Sequence, residues 1–109
     1  MCLIVFAWQT HPDYPLLLLA NRDEFKQRPT TPLHPWGMVP EIYAGRDEVQ
    51  GGTWLGITPS GRWAAVTNFR APGETPAALS RGWLVRDFLL AQTSPEDFMI
   101  NLEADQYAG

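Results

Sequence analysis

Two apolar runs, Cys2-Leu3-Ile4-Val5-Phe6-Ala7-Trp8 and Leu16-Leu17-Leu18-Leu19-Ala20, flank the polar stretch Gln9-Thr10-His11-Pro12-Asp13-Tyr14-Pro15. Each run is short for a helix and is bounded by Pro, Asp and other turn residues. Both therefore read as buried strands joined in a β-hairpin. With the turn centred between Pro12 and Asp13, antiparallel pairing sets Leu3 opposite Arg22 and Cys2 opposite Asp23. The start of the first run and the polar block Asn21-Arg22-Asp23-Glu24 then lie side by side. Neither run follows a basic segment, and neither is long enough to span a bilayer, so a signal peptide and a transmembrane segment are not expected.

Further along, Thr53-Trp54-Leu55-Gly56-Ile57-Thr58 and Arg62-Trp63-Ala64-Ala65-Val66-Thr67-Asn68-Phe69 surround Pro59-Ser60-Gly61, the clearest hairpin signal in the chain. A turn centred on Ser60 places Asn68 opposite Gly52. Between the two hairpins, residues 26–41 carry Pro29, Pro32, Pro35 and Pro40 and read as an irregular loop. Tyr43-Ala44-Gly45-Arg46-Asp47 through Gly51-Gly52 reads as a further turn-rich stretch. From Ser80 the period changes: Leu84, Val85, Phe88, Leu89 and Ala91 recur at helical spacing, which predicts an amphipathic helix over 81–91. Ser94-Pro95-Glu96-Asp97 supplies an N-cap, a proline at the first helical position and acidic residues in the first turn of a second, short helix. The fold class is α+β, with antiparallel hairpins followed by helices. The hairpins would keep open edges and uncovered faces, and no closing strand is evident before Tyr107-Ala108-Gly109. Residues 1–109 are accordingly expected to be the N-terminal part of a single, larger domain.

Hydrophobic residues make up 45% of the 109-residue chain and charged ones 18%, a globular composition. The net charge is −4, and the eight basic residues are scattered from Arg22 to Arg86, so no basic stripe offers itself to a phosphate backbone. Nucleic acid is excluded as a partner on that ground. A single cysteine allows no internal disulfide and favours a cytoplasmic location. His11 and His34 stand far apart in Pro-rich segments, so no metal site is expected, and no cofactor is implied. Gly51-Gly52-Thr53-Trp54-Leu55-Gly56 lacks the lysine and the following helix of a phosphate loop and reads as turn plus strand.

Three features carry potential chemistry. Removal of Met1 would give Cys2 a free α-amine, a base of suitable pKa attached to its own nucleophile. An arginine beside a thiol stabilises the thiolate, and a carboxylate holds the ammonium or a substrate amide; the hairpin brings Arg22 and Asp23 to Cys2 for those roles. Asn68, at the open end of the second hairpin, is placed to donate to an oxyanion. Asn21, Trp54 and Arg70 are the candidate substrate-binding residues. Taken singly, each feature has a plainer reading: a small apolar residue at a strand start, a solvated strand end, an asparagine in a turn.

The initial Met1-Cys2, the block Asn21-Arg22-Asp23-Glu24-Phe25, Ala44-Gly45-Arg46-Asp47, Gly51-Gly52-Thr53-Trp54-Leu55-Gly56 and Thr67-Asn68-Phe69-Arg70 together resemble the N-terminal half of the NRDE family, also called the transport and Golgi organisation protein 2 family. The resemblance covers most of residues 1–70. It implies a fold similar to the N-terminal nucleophile hydrolases, a four-layer αββα sandwich in which a new N-terminal cysteine attacks an amide. Cys2, Arg22, Asp23 and Asn68 match that superfamily's catalytic positions by order and context. The resemblance thus implies a cysteine amidohydrolase acting on a linear amide or acyl-amide in the full-length protein. The rival expectation is a non-catalytic protein handling haem or an acyl ligand, linked to secretory-pathway or membrane homeostasis.

Overall fold

The structure is a computed structural model and describes residues 2–24, 26–67, 79–102 and 107–108. The order of elements is β1 (Leu3–Trp8), β2 (Leu16–Asn21), β3 (Thr30–Pro35), β4 (Tyr43–Asp47), β5 (Leu55–Ile57), β6 (Trp63–Ala65), β7 (Leu79–Ser80), α1 (Arg81–Leu90), α2 (Pro95–Ile100) and β8 (Tyr107–Ala108). Among the described residues the strands form an antiparallel β1-β2 hairpin, an antiparallel sheet in the order β3-β4-β5-β6, and a parallel β7-β8 pair. The α+β class holds.

The first hairpin forms, but one residue out of the expected register: Leu3 pairs with Asn21, and the ladder runs to Trp8 with Leu16. The loop is an odd seven residues centred on Pro12. It is closed by the Gln9 N–H donating to the Pro15 carbonyl at 2.7 Å, with Gln9 at φ +54°. Because side chains alternate along a strand, this one-residue slip decides which face each residue occupies. Ile4, Leu16 and Leu18 share one face and are half-buried. Phe6, on that same face, meets Trp63 with ring centroids 5.8 Å apart. The odd-numbered Leu3, Val5, Leu17 and Leu19 stay exposed.

The 26–41 stretch is not an irregular loop throughout, because Thr30–Pro35 forms β3. Two prolines fit there because β3 is the sheet's edge strand, and its pairing with β4 shifts register between Thr31 and His34. An edge strand turns half its backbone donors to solvent, so a missing N–H costs little. Likewise Tyr43–Asp47 is a strand, β4, and the turn begins only after Asp47. The second hairpin matches expectation: Ile57 pairs with Trp63 and Leu55 with Ala65, which centres the turn on Ser60.

The core lies between β4 and α1. Ile42, Ala44, Val85 and Leu89 are buried, flanked by Trp36, Met38, Ala64, Val66, Phe88 and Leu90. Glycine permits the close approach of helix to sheet: a Cβ on Gly56 would fall 2.7 Å from Leu89 Cδ1. At the helix start two backbones touch directly. A Cβ on Gly52 would sit 2.4 Å from the Gly82 carbonyl carbon, and one on Gly82 would sit 2.9 Å from the Thr53 nitrogen. The two helices fall where their spacing predicts. Ser94 Oγ accepts from the Asp97 N–H at 3.1 Å, the expected N-cap of α2. A closing strand is present after all: β8 pairs parallel to β7, and the Tyr107 hydroxyl donates to Asp87 at 2.6 Å. That bond, together with burial, pushes the Tyr107 hydroxyl up to about 12.

Candidate functional site

β2, the segment before β3, β4, β5 and the N-terminus of α1 converge on a cleft of about 880 Å³. Leu16 and Leu18 contribute its apolar wall from the first hairpin, and Trp54, Leu55, Trp63 and Val66 contribute the facing wall. These positions arise from strand alternation. Leu16 and Leu18 share the inward face of the first hairpin.

One wall is a chain of alternating charge. Arg22 Nη2 donates to Glu24 at 2.9 Å. Glu24 lies 3.9 Å from Arg28 Nε. Arg28 then grips Asp47 with two parallel bonds, Nε to Oδ1 at 3.0 Å and Nη2 to Oδ2 at 2.6 Å. Asp47 also accepts from the Val49 N–H at 3.0 Å, which holds the turn after β4. Burial pushes the Asp47 carboxyl up. The bonds from Arg28 and from the Val49 and Gln50 N–H groups, with the Arg28 charge, outweigh it and leave the carboxyl below its ordinary value. Bonding to Asp47 raises Arg28 in return, against a smaller burial effect.

Of the residues singled out in the sequence, Arg22 and Trp54 line this cleft. Asn21 ends β2 on the exposed side, paired with Leu3. Cys2 is half-buried with a free thiol, one residue before β1, and is not among the residues lining the cleft. The observed register corrects the expected neighbour: the next step outward from Leu3 and Asn21 leads to Cys2 and Arg22, not to Cys2 and Asp23. By the same alternation Asp23 falls to the other side of that step, and it is exposed. Asn68 and Arg70 lie outside the described residues. Sequence reasoning gave no site role to Arg28, Arg46, Asp47 or Arg81, all of which line the cleft, although Arg46 and Asp47 belong to a motif that carries the family resemblance.

Comparison with known proteins bears on the whole chain. The family model described as Transport and Golgi organisation 2 matches residues 1–109. The chain belongs to this family. It is 38% identical to the Transport and Golgi organization 2 homolog of Mus musculus over 118 residues, covering 100% of this chain and 43% of the mouse protein. The human homolog is likewise 38% identical, over 100% of this chain and 43% of its own length. The Transport and Golgi organization protein 2 of Drosophila melanogaster is 34% identical over 82% of this chain and 35% of the fly protein. The chain thus spans less than half the length of these Transport and Golgi organisation 2 relatives. Among the described residues, no helix is long and apolar enough to cross a membrane.

Proposed function

We propose that in the full-length family member the cleft binds an apolar small molecule of the acyl or haem type. The observation that carries this reading is the cleft itself. A space of about 880 Å³ suits a small organic ligand. Its lining combines the apolar Leu16, Leu18, Trp54 and Trp63 with charged groups. Cys2, the candidate nucleophile, is not among the described residues that line it. Titration of the full-length protein with laurate, followed by tryptophan fluorescence, tests the reading. Saturable binding that is the same in wild type and Cys2→Ala, without amide turnover, is expected. Absence of binding by any acyl or haem probe overturns it.

A second reading rests on a different observation, the step from the Leu3–Asn21 pair to Cys2 and Arg22. Here the full-length protein is a cysteine amidohydrolase. After loss of Met1 the α-amine takes the Cys2 thiol proton, and sulfur attacks the amide carbonyl carbon. The C–N bond then breaks, the amine leaves with that proton, and water hydrolyses the thioester to the acid. Arg22 stabilises the thiolate, Asn68 donates to the oxyanion, and Trp54 and Arg70 contact substrate. Intact-mass measurement on protein from its native host decides this reading: a retained Met1 rules the mechanism out.

A further inference from the structure

Charge is distributed against the trend of the chain. The protein carries a net −4, yet four of its eight basic residues, Arg22, Arg28, Arg46 and Arg81, line one cleft beside two carboxylates, Glu24 and Asp47. Both carboxylates are engaged by Arg22 and Arg28. Arg46 and Arg81 have no carboxylate partner among the described residues. Arg46 uses Nε on the Gly51 carbonyl at 3.2 Å and lays its guanidinium over Trp36, 4.9 Å from the ring centroid, which fixes its plane. Arg81 keeps more in reserve. Its Nε is enclosed and has no acceptor among the described residues, and the residue lines the cleft.

The backbone adds to the same end of the cleft. Arg81 is the first residue of the ten-residue α1, whose cap Ser80 makes no side-chain bond and whose first turn holds no acidic residue. Ser80, Arg81 and Gly82 all line the cleft, so the positive end of α1 faces the space that Arg46 borders. The contact of Gly82 with Gly52 seats it there.

We infer that this end of the cleft is an anion site, in which Arg81 and Arg46 hold the carboxylate or phosphate of an amphiphile whose apolar body lies along Leu16, Leu18, Trp54 and Trp63. The inference rests on the cleft being a binding site, and it names the class of ligand. Carboxylate and phosphate share the recognising chemistry, a fork of N–H donors meeting anionic oxygens.

Three probes with the same alkyl chain test it on the full-length protein: laurate, dodecyl phosphate and uncharged dodecanol, titrated below their micelle concentrations. Both anions are expected to bind about tenfold or more tightly than dodecanol, the step a charge-assisted pair provides. Arg81→Gln should weaken both anions by about tenfold and leave dodecanol unchanged. Arg46→Gln serves as a second variant should Arg81→Gln fail to fold by circular dichroism. Arg86→Gln, on a residue outside the cleft, should change nothing. The tighter of the two anions identifies the source as a free acid or a phosphate ester. Equal binding of all three probes, or losses in the arginine variants that are equal for anions and dodecanol, overturns the anion site while leaving the cleft a binding site. Failure of every probe to bind overturns both.

Discussion

At Asp47 burial and pairing act in opposite directions, and pairing prevails. A carboxyl whose folded pKa lies below its unfolded value, near 3.8, releases its proton more readily in the folded chain. Its stabilisation is therefore complete above that value and drains away as the pH falls through the depressed folded pKa. The pair with Arg28 is partly exposed, with side chains 16% and 31% accessible, so solvent screening keeps its worth modest. Asp47→Asn is expected to cost roughly 1–2 kcal/mol at neutral pH in urea unfolding. Below about pH 4 the gap between variant and wild type should begin to narrow, closing as the pH falls past the depressed folded pKa. A gap that persists unchanged at pH 3 would show that the charge is not the source. Asp47 also shows why this part of the site was hidden in the sequence. Arg28 is 19 positions away, in a proline-rich stretch, and nothing local marks the two as partners.

The two helices are stabilised by different means. α2 is six residues long and carries its own signals: Ser94 at the cap, Pro95 at the first position, Glu96 and Asp97 in the first turn. α1 has a cap serine, Ser80, that makes no side-chain bond, and no proline or acidic residue in its first turn, so it relies on packing Val85 and Leu89 against the sheet. Gly82 sharpens the contrast. In an isolated helix, alanine in place of glycine stabilises by about 1 kcal/mol. Here the new Cβ would meet the backbone of Thr53 at 2.9 Å and of Gly52 at 3.1 Å, and neither can move aside cheaply. Gly82→Ala should therefore destabilise, by roughly 1–3 kcal/mol, measured by thermal or urea unfolding. An unchanged or raised stability would mean the contact is loose. The elements legible in the sequence were those with local signatures: the capped α2, the periodic α1, and the β5-β6 turn with Gly61 at φ +91°. β3 and β4 were missed because prolines and glycine read as turns. Edge position and a bulge accommodate the prolines, while Gly45 sits in a strand whose register is set by neighbours distant in sequence. The first hairpin was found but slipped by one, since loop composition signals a turn and not its centre.

At the scale of the whole molecule, the buried core among the described residues is small: Ile42 just before β4, Ala44 on it, and Val85 and Leu89 on α1. Leu89 is fully buried and reaches Gly56 on β5. Leu89→Ala should cost about 2–5 kcal/mol. Helix and sheet share this core, so far-ultraviolet circular dichroism and tryptophan fluorescence should report coincident transitions in the variant as in the wild type. Separated transitions would show α1 to be an independent unit. The cleft belongs to this scale too. Its arginines come from β2's end, the segment before β3, β4 and α1, and the sequence shows them only as scattered basic residues. The fold turns that scatter into a concentration of charge. One hairpin brings the ends that carry Cys2 and Arg22 together, which the sequence shows, though one residue out of register. The parallel closure of β8 on β7 adds a constraint in time. Asp87 leaves the ribosome 20 residues ahead of Tyr107, which at ordinary rates of synthesis is about 1–4 s. For that interval α1 must hold its place on the sheet without the tyrosine, chiefly through Val85 and Leu89, so the order of translation makes the apolar contact the founder and the tyrosine the latch.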